Sequence, residues 1–204
     1  MQYMQVSQGC GLRERKRRQT RETIARVALE LFERQGFHET TIPQIAEAAD
    51  VSPRTVSAYF PRKEDLAFPD VDEEFRTFDA RLRDRQPGET AIDVLRSVIR
   101  ASVDAEGEGV AARQARRRVI RADDGLRAYE HHFLARVRES LAVAMAQDLG
   151  GSADDLEPRM AAAATLTVFD LLGQDYDTGD ATEALAVVDR ALLFIGGGIS
   201  ALRA

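Results

Sequence analysis

"VSPRTVSAYFPRKEDL", residues 51–66, is the stretch on which the reading of this chain turns. Ser52 can cap a helix, and Pro53 suits its first position, where a missing N–H costs nothing. Val56 and Phe60 lie four apart and share one face. Pro61 then stops the helix, because its ring cannot follow a helical turn. Just upstream, "TTIPQIAEAADV" (40–51) predicts a second short helix. Thr41 and Gln44 have capping-box spacing, Pro43 falls in the first turn, and Ile42, Ile45, Ala46 and Ala49 form its stripe. That helix ends near Asp50.

Working outward, "TRETIARVALELFERQGF" (20–37) repeats apolar residues at three and four through Ile24, Val27, Ala28, Leu31 and Phe32. This is a helix with one buried stripe, and Gly36 is placed to end it in a left-handed cap. Downstream, Lys63-Glu64-Asp65-Leu66 reads as the opening of a fourth helix, its acids favoured by the helix dipole. Pro69 predicts a kink or break, after which the pattern resumes through Phe75, Phe78 and Leu82 to Pro87-Gly88. Further helices are expected at about 90–104, 109–122, 125–149, 156–173 and 182–203, with no period-2 alternation and so no sheet. The last two are apolar almost all round, which implies one face for the chain's own core and another for a second copy.

Two short helices joined by a tight turn form a helix-turn-helix. An α-helix fits the major groove, and its N-terminal residues reach base edges. Charge agrees when read by segment. The net formal charge is −6, yet residues 1–65 carry 11 Lys+Arg against 9 Asp+Glu, and 66–204 carry 17 against 25. Residues 13–21, "RERKRRQTR", hold six basic residues and one acid. Such a run suits nucleic acid, although it also suits a solvated face.

Residues 13–66 resemble the DNA-binding domain of TetR-family transcriptional regulators. The matching stretches are "ALELFERQGF" (28–37), "TTIPQIAEAADVS" (40–52) and "TVSAYFPRKEDL" (55–66). The resemblance implies an all-α protein: a flexible tail at 1–12, a three-helix DNA-binding domain at 13–66, and a helical effector-binding and dimerisation domain at 67–204. It implies a homodimeric repressor on an inverted-repeat operator in double-stranded DNA, released by an apolar or amphipathic small molecule. The alternative is a constitutive DNA-binding regulator or activator with no effector.

By the same resemblance Phe60 is a core anchor, and Tyr59 lies where a side chain reaches phosphate. Lys63, at the start of the next helix, grips the backbone together with that helix's N-terminal amides, and Thr41 and Thr55 donate to phosphates; a solvated Lys63 and a Tyr59 packed on the neighbouring helix are the other readings. Thr41 and Ser52 serve equally well as helix caps alone. Arg54 is the candidate base contact, since Arg reads guanine in bidentate fashion; phosphate is the other reading. Many family members have an aromatic where this chain has Ser57. The departure leaves Ser57 as a base reader instead of a phosphate contact. The basic run at 13–21 is either a disordered tail or an arm adding phosphate or minor-groove contacts.

For the effector the expectation falls on residues 67–178. Arg113, Arg117 and Arg121 recur at four-residue steps on one helix face, suited to an anionic effector such as an acyl-CoA or to solvent. His131 and His132 are adjacent and face apart, so they make a poor metal pair; His132 stands at a pocket edge or at the surface. Asp170 interrupts an apolar helix, at either pocket or interface. The triplet Gly196–Gly198 marks either a close helix approach at a subunit contact or a fraying end. No glycine-rich phosphate loop, metal-spaced Cys/His set or neighbouring nucleophile–base pair is present in the sequence, so no enzyme, metal or cofactor is expected. Cys10 is the one cysteine and reads as an ordinary thiol. No apolar run approaches the ~20 residues that span a bilayer, and no signal-type stretch opens the chain, so a cytoplasmic protein is expected.

Overall fold

Prolines and glycines divide the chain into helices at nearly every expected point. The computed structural model describes residues 11–104, 110–175 and 181–201, and the side chains within them except at 102–104, 110, 169–175, 181–184 and 200. Cys10 lies outside the described residues. The helices are α1 (Leu12–Gln35), α2 (Ile42–Ala48), α3 (Pro53–Tyr59), α4 (Val71–Arg83) and α5 (Ala91–Asp104), then α6 (Val110–Ala122), α7 (Asp124–Leu149), α8 (Leu156–Asp175) and α9 (Ala181–Ala201). Among the described residues there is no strand, so the fold is all-α.

By internal contacts the chain forms two compact units. One comprises residues 1–69 together with Arg118–Asp123, the other Asp70–Arg117 with Asp124–Ala204. In the first unit α1 packs on α2, and α2 on α3. Ile24, Ala28, Phe32, Ile45, Val56, Phe60 and Leu66 are all at most 2% exposed, so the stripes read from periodicity are the core. Gly36 ends α1 not in the expected left-handed cap but with φ +88° and ψ 159°, a mirror-extended backbone open to glycine at no steric cost. Val119 and Ile120, in the last turn of α6, are also buried and belong to this unit.

Two expectations change. The helix expected from Lys63 is only one 3-10 turn, Glu64–Leu66, and α4 begins at Val71. Pro61 and Pro69 bracket too short a segment: Pro69 can neither donate to the carbonyl four residues back nor leave room for it. The basic run at 13–21, for its part, is helical and forms the first turns of α1, which begins at Leu12.

In the second unit Leu141 and Met145 of α7 meet Val94 of α5, Ala162 of α8 and Leu192 of α9 in one fully or nearly buried cluster. A half-buried polar staple ties its connections. Arg85 donates to the carbonyl of Ala144 (3.3 Å) and to Asp148 Oδ1 (3.3 Å), while Asp148 Oδ2 accepts from the Ala91 amide at 2.7 Å and so caps α5. α9 buries Val188 and Leu192 but leaves Leu193 at 64% and Phe194 at 84% exposure. Apart from their own helix, no described heavy atom comes within 4 Å of where a Cβ would stand on Gly196, Gly197 or Gly198, so among the described residues the triplet serves no close approach. No helix among the described residues is long and apolar enough to cross a membrane.

Candidate nucleic-acid interface

The turn between α2 and α3 sets the geometry of the reading head. Thr41 and Gln44 form the reciprocal capping box: the Thr41 amide donates to Gln44 Oε1 at 2.8 Å, and the Gln44 amide to Thr41 Oγ1 at 3.4 Å. After α2, Asp50 takes φ +52°, a left-handed conformation that Asp tolerates better than most residues. The Val51 amide then closes back on the Ala46 carbonyl at 2.9 Å. Ser52 caps α3 by accepting from the Thr55 amide at 3.0 Å, and the two hydroxyl oxygens lie 2.7 Å apart.

This capping, with Val56 and Phe60 buried, decides what α3 shows to solvent. Ser52, Pro53, Arg54, Ser57 and Ala58 are exposed, while Thr55 and Tyr59 are half-buried. Arg54 and Ser57 therefore stand together on the outer face, with Ser52 at its N-terminal edge and Tyr59 at its far end. Thr41 is exposed at the start of α2. Arg13, Arg15, Lys16, Arg17 and Arg18 are exposed along the first turns of α1, and the Arg17 guanidinium lies 5.9 Å from the Tyr59 ring centroid. A slim polar helix beside a basic helix face is a surface suited to a duplex: side chains for base edges and cations for phosphates.

Lys63 is held by partners that residue type and spacing do not disclose. Its ammonium lies 4.4 Å from the Phe37 ring centroid and donates to the carbonyls of Phe37 (2.5 Å) and His38 (3.3 Å). Burial holds its pKa below the ordinary lysine value, against the charges of Glu64, Asp123 and Glu39, which pull it back up. Close by, His38 Nδ1 lies 3.2 Å from Asp123 Oδ2, and Arg118 Nη2 donates to Glu33 Oε1 at 2.7 Å. These two pairs hold the last turn of α6 within the first unit.

Arg21 is the residue in this region that sequence reasoning passed over. Its guanidinium lies 4.4 Å from the Phe60 ring centroid, and it donates to the Tyr59 carbonyl at 2.9 Å and to the Pro69 carbonyl. The available signal was its four-residue spacing from Arg17 on the basic side of α1.

The expected effector residues do not converge. Arg117 is exposed in the part of α6 that belongs to the second unit, and Arg121 is exposed in the last turn, which belongs to the first. His132 is exposed on α7, as is His131. The Asp170 side chain lies outside the described residues. A groove of about 380 Å³ opens elsewhere, between α4 and α7, over Phe75, Leu82, Val143 and Ala144. It is rimmed by Asp79, Arg83, Arg136 and Glu139. Arg136 lies 4.3 Å over Phe75 and pairs with Asp72 at 2.8 Å, while the Ser140 hydroxyl donates to Asp79 at 2.5 Å. Among the described residues no group of three or more His, Cys, Asp and Glu is placed to hold a metal ion.

Comparison with known proteins gives a consistent picture. Residues 24–68 match the family model described as bacterial regulatory proteins, tetR family, and residues 89–200 match that of the MftR C-terminal domain. The HTH-type transcriptional regulator TcmR of Streptomyces glaucescens is 36% identical over 165 residues, covering 76% of this chain and 72% of TcmR. Among solved structures, GusR of Salmonella enterica superposes with a TM-score of 0.61 at 23% identity, over 89% of this chain and 96% of GusR. FadR of Thermus thermophilus, a repressor solved in complex with lauroyl-CoA, gives 0.52 at 22% identity, over 86% and 92%. At such identities the structural likenesses speak for the fold.

Proposed function

This chain belongs to the TetR family of bacterial regulatory proteins, and on that premise we propose that it is a homodimeric repressor that reads an inverted-repeat operator and is released by a small molecule. It is a transcriptional regulator by family; the operator, the dimer and the effector are our reading. The observation that carries it is the outer face of α3. Val56 and Phe60 fix the helix from behind, so that Arg54 and Ser57 project together from a polar surface.

In this reading Arg54 makes the base contact and Ser57 reads beside it. Tyr59 donates to a phosphate, as does whichever of the Ser52 and Thr55 hydroxyls is not donating to the other; the Thr41 hydroxyl exchanges its Gln44 Oε1 partner for one, and together they set the register. Lys63 has three N–H donors, of which two hold the Phe37 and His38 carbonyls; the third serves a phosphate. The exposed Leu193 and Phe194 on α9, with Leu156 and Met160 on α8, supply the dimer face. Two copies then present two α3 helices to successive half-sites. Because its partner is chromosomal DNA, the compartment this reading implies is the cytoplasm.

The effector is apolar or amphipathic and binds in the second unit. The α4–α7 groove, with an apolar floor and a charged rim, is of the size that small ligands use. Release requires only that the molecule prefer the DNA-incompetent state; a tenfold loss of operator affinity needs about 1.4 kcal/mol of such preference.

The test begins with duplexes selected by the protein from a random-sequence pool. Enrichment of an inverted repeat supports the reading, and failure to enrich any sequence sinks it. Lauroyl-CoA and other amphipaths are then titrated by calorimetry into the protein alone and into its complex with the selected duplex. Linkage demands that DNA weaken effector binding by the factor by which effector weakens DNA binding. If no amphipath lowers DNA affinity, the chain is a constitutive binder.

A further inference from the structure

We infer that Arg21 is a positioning residue for DNA reading, acting as the C-terminal cap of the recognition helix from a different helix. This rests on the DNA-binding reading of α3 and adds a role to it.

The argument starts from an accounting of backbone groups. The last carbonyls of any α-helix have no partner within the helix, and most helices turn the following N–H groups back onto them. In α3 the Phe60 amide bonds the Val56 carbonyl, which uses the cap's own donor. The next residue is Pro61, which has no N–H to offer the Ser57 carbonyl, and the Arg62 amide, next in line at this end, turns away to Asp65 Oδ2 at 2.8 Å. The carbonyl of Tyr59 takes its donor from another helix: Arg21 Nη1 supplies it at 2.9 Å. A cation at this end also suits the partial negative charge of the helix terminus.

The same guanidinium does two further things. It lies 4.4 Å from the Phe60 ring centroid, and it donates through Nη2 to the carbonyl of Pro69. A planar fork stacked on a ring, with donors aimed at two carbonyls on separate segments, is a geometry that lysine cannot reproduce. Arg21 thus fixes the end of α3, the ring that anchors it and the segment leading out of the first unit, all relative to α1. Arg13 to Arg18 are exposed on the turns before it, whereas Arg21 is partly buried with its fork turned inward. In a seven-residue helix, a small rotation at one end moves every side chain on the reading face.

The experiment compares wild type with Arg21→Ala and Arg21→Lys. Affinity is measured as a function of salt, on a duplex selected by the wild-type protein and on a scrambled duplex of equal length. The expected result is about a tenfold loss on the selected duplex for both variants, as for a lost charge-assisted hydrogen bond. Affinity for the scrambled duplex and the salt slope should be unchanged. If Arg21 were a phosphate contact, Arg21→Ala would weaken both duplexes and reduce the slope, and Arg21→Lys would restore both; that pattern overturns the inference. A lower melting temperature with unchanged affinity for both duplexes would make Arg21 a fold residue only, and overturns it equally. If the alanine chain does not fold, Arg21→Gln, which keeps an amide donor without the charge, decides in its place. If the wild type selects no duplex, it is the DNA-binding reading that has failed.

Discussion

The Lys63 ammonium sits 4.4 Å from the centre of the Phe37 ring and holds the carbonyls of the turn that ends α1. That turn is followed at once by α2, so Lys63 braces the helix-turn-helix from outside. Lys63→Ala should lower the stability of the first unit by about 1 kcal/mol, the net worth of a partly exposed charge-assisted bond. Urea melts would measure it. In our reading the substitution also weakens binding to all duplexes and reduces the salt slope by roughly one unit per half-site. Lower stability with an unchanged slope would assign the ammonium wholly to the turn.

Arg54→Ala should relax sequence choice. A good bidentate contact to guanine is worth about 1–3 kcal/mol of discrimination, so the ratio of specific to random affinity should fall about five- to 150-fold. Competition gel shifts would read the ratio. Equal weakening of both duplexes would make Arg54 a phosphate contact.

Leu193→Glu with Phe194→Glu should give a monomer that keeps its helicity, since both side chains lie outside the chain's own core. Val188→Glu should instead unfold the second unit, because Val188 is 5% exposed. Sedimentation and circular dichroism separate the two results. A wild-type monomer at micromolar concentration would remove the dimer from the proposal.

Acid should destabilise the second unit through two carboxylates at the start of α5. The Arg81 fork holds the pKa of Glu89 below the usual carboxylate value, and the Thr90 hydroxyl and amide do the same for Asp93. In each case the folded value is depressed, so the unfolded chain binds protons first as pH falls. Their contribution is complete above the unfolded values, about 4, and is lost as pH drops through the folded ones. Urea midpoints between pH 6 and pH 3 should fall for wild type, and less steeply for Glu89→Gln and Asp93→Asn.

What the sequence disclosed and what it hid follow one physical division. Periodicity and punctuation are local, so the stripes of α1 and α2, the capping box at Thr41–Gln44 and the bounds of α3 could be read directly. The resemblance added the outer-face residues of α3. The targets of Arg21 and Lys63 could not be read, because they are backbone carbonyls, and every residue has one. The single turn at Glu64–Leu66 departs from the expected helix for a related reason: its acids favour a helix start, but the spacing of Pro61 and Pro69 leaves no length for one. The pairing of His38 with Asp123 joins residues distant in sequence whose types occur all along the chain.

The last turn of α6 has a consequence for biosynthesis. Residues 118–123 belong to the same compact unit as the first 69, and Val119 and Ile120 are buried there. A nascent chain that has emerged only as far as Pro69 therefore lacks part of its own apolar core. At roughly 5–20 residues per second, the ribosome needs about 3–11 seconds more to deliver it. During that interval the α3 surface exists on an incomplete scaffold, exposed to chaperones and to misplaced partners. The order of synthesis thus delays a fully assembled reading head until part of the second unit has been made.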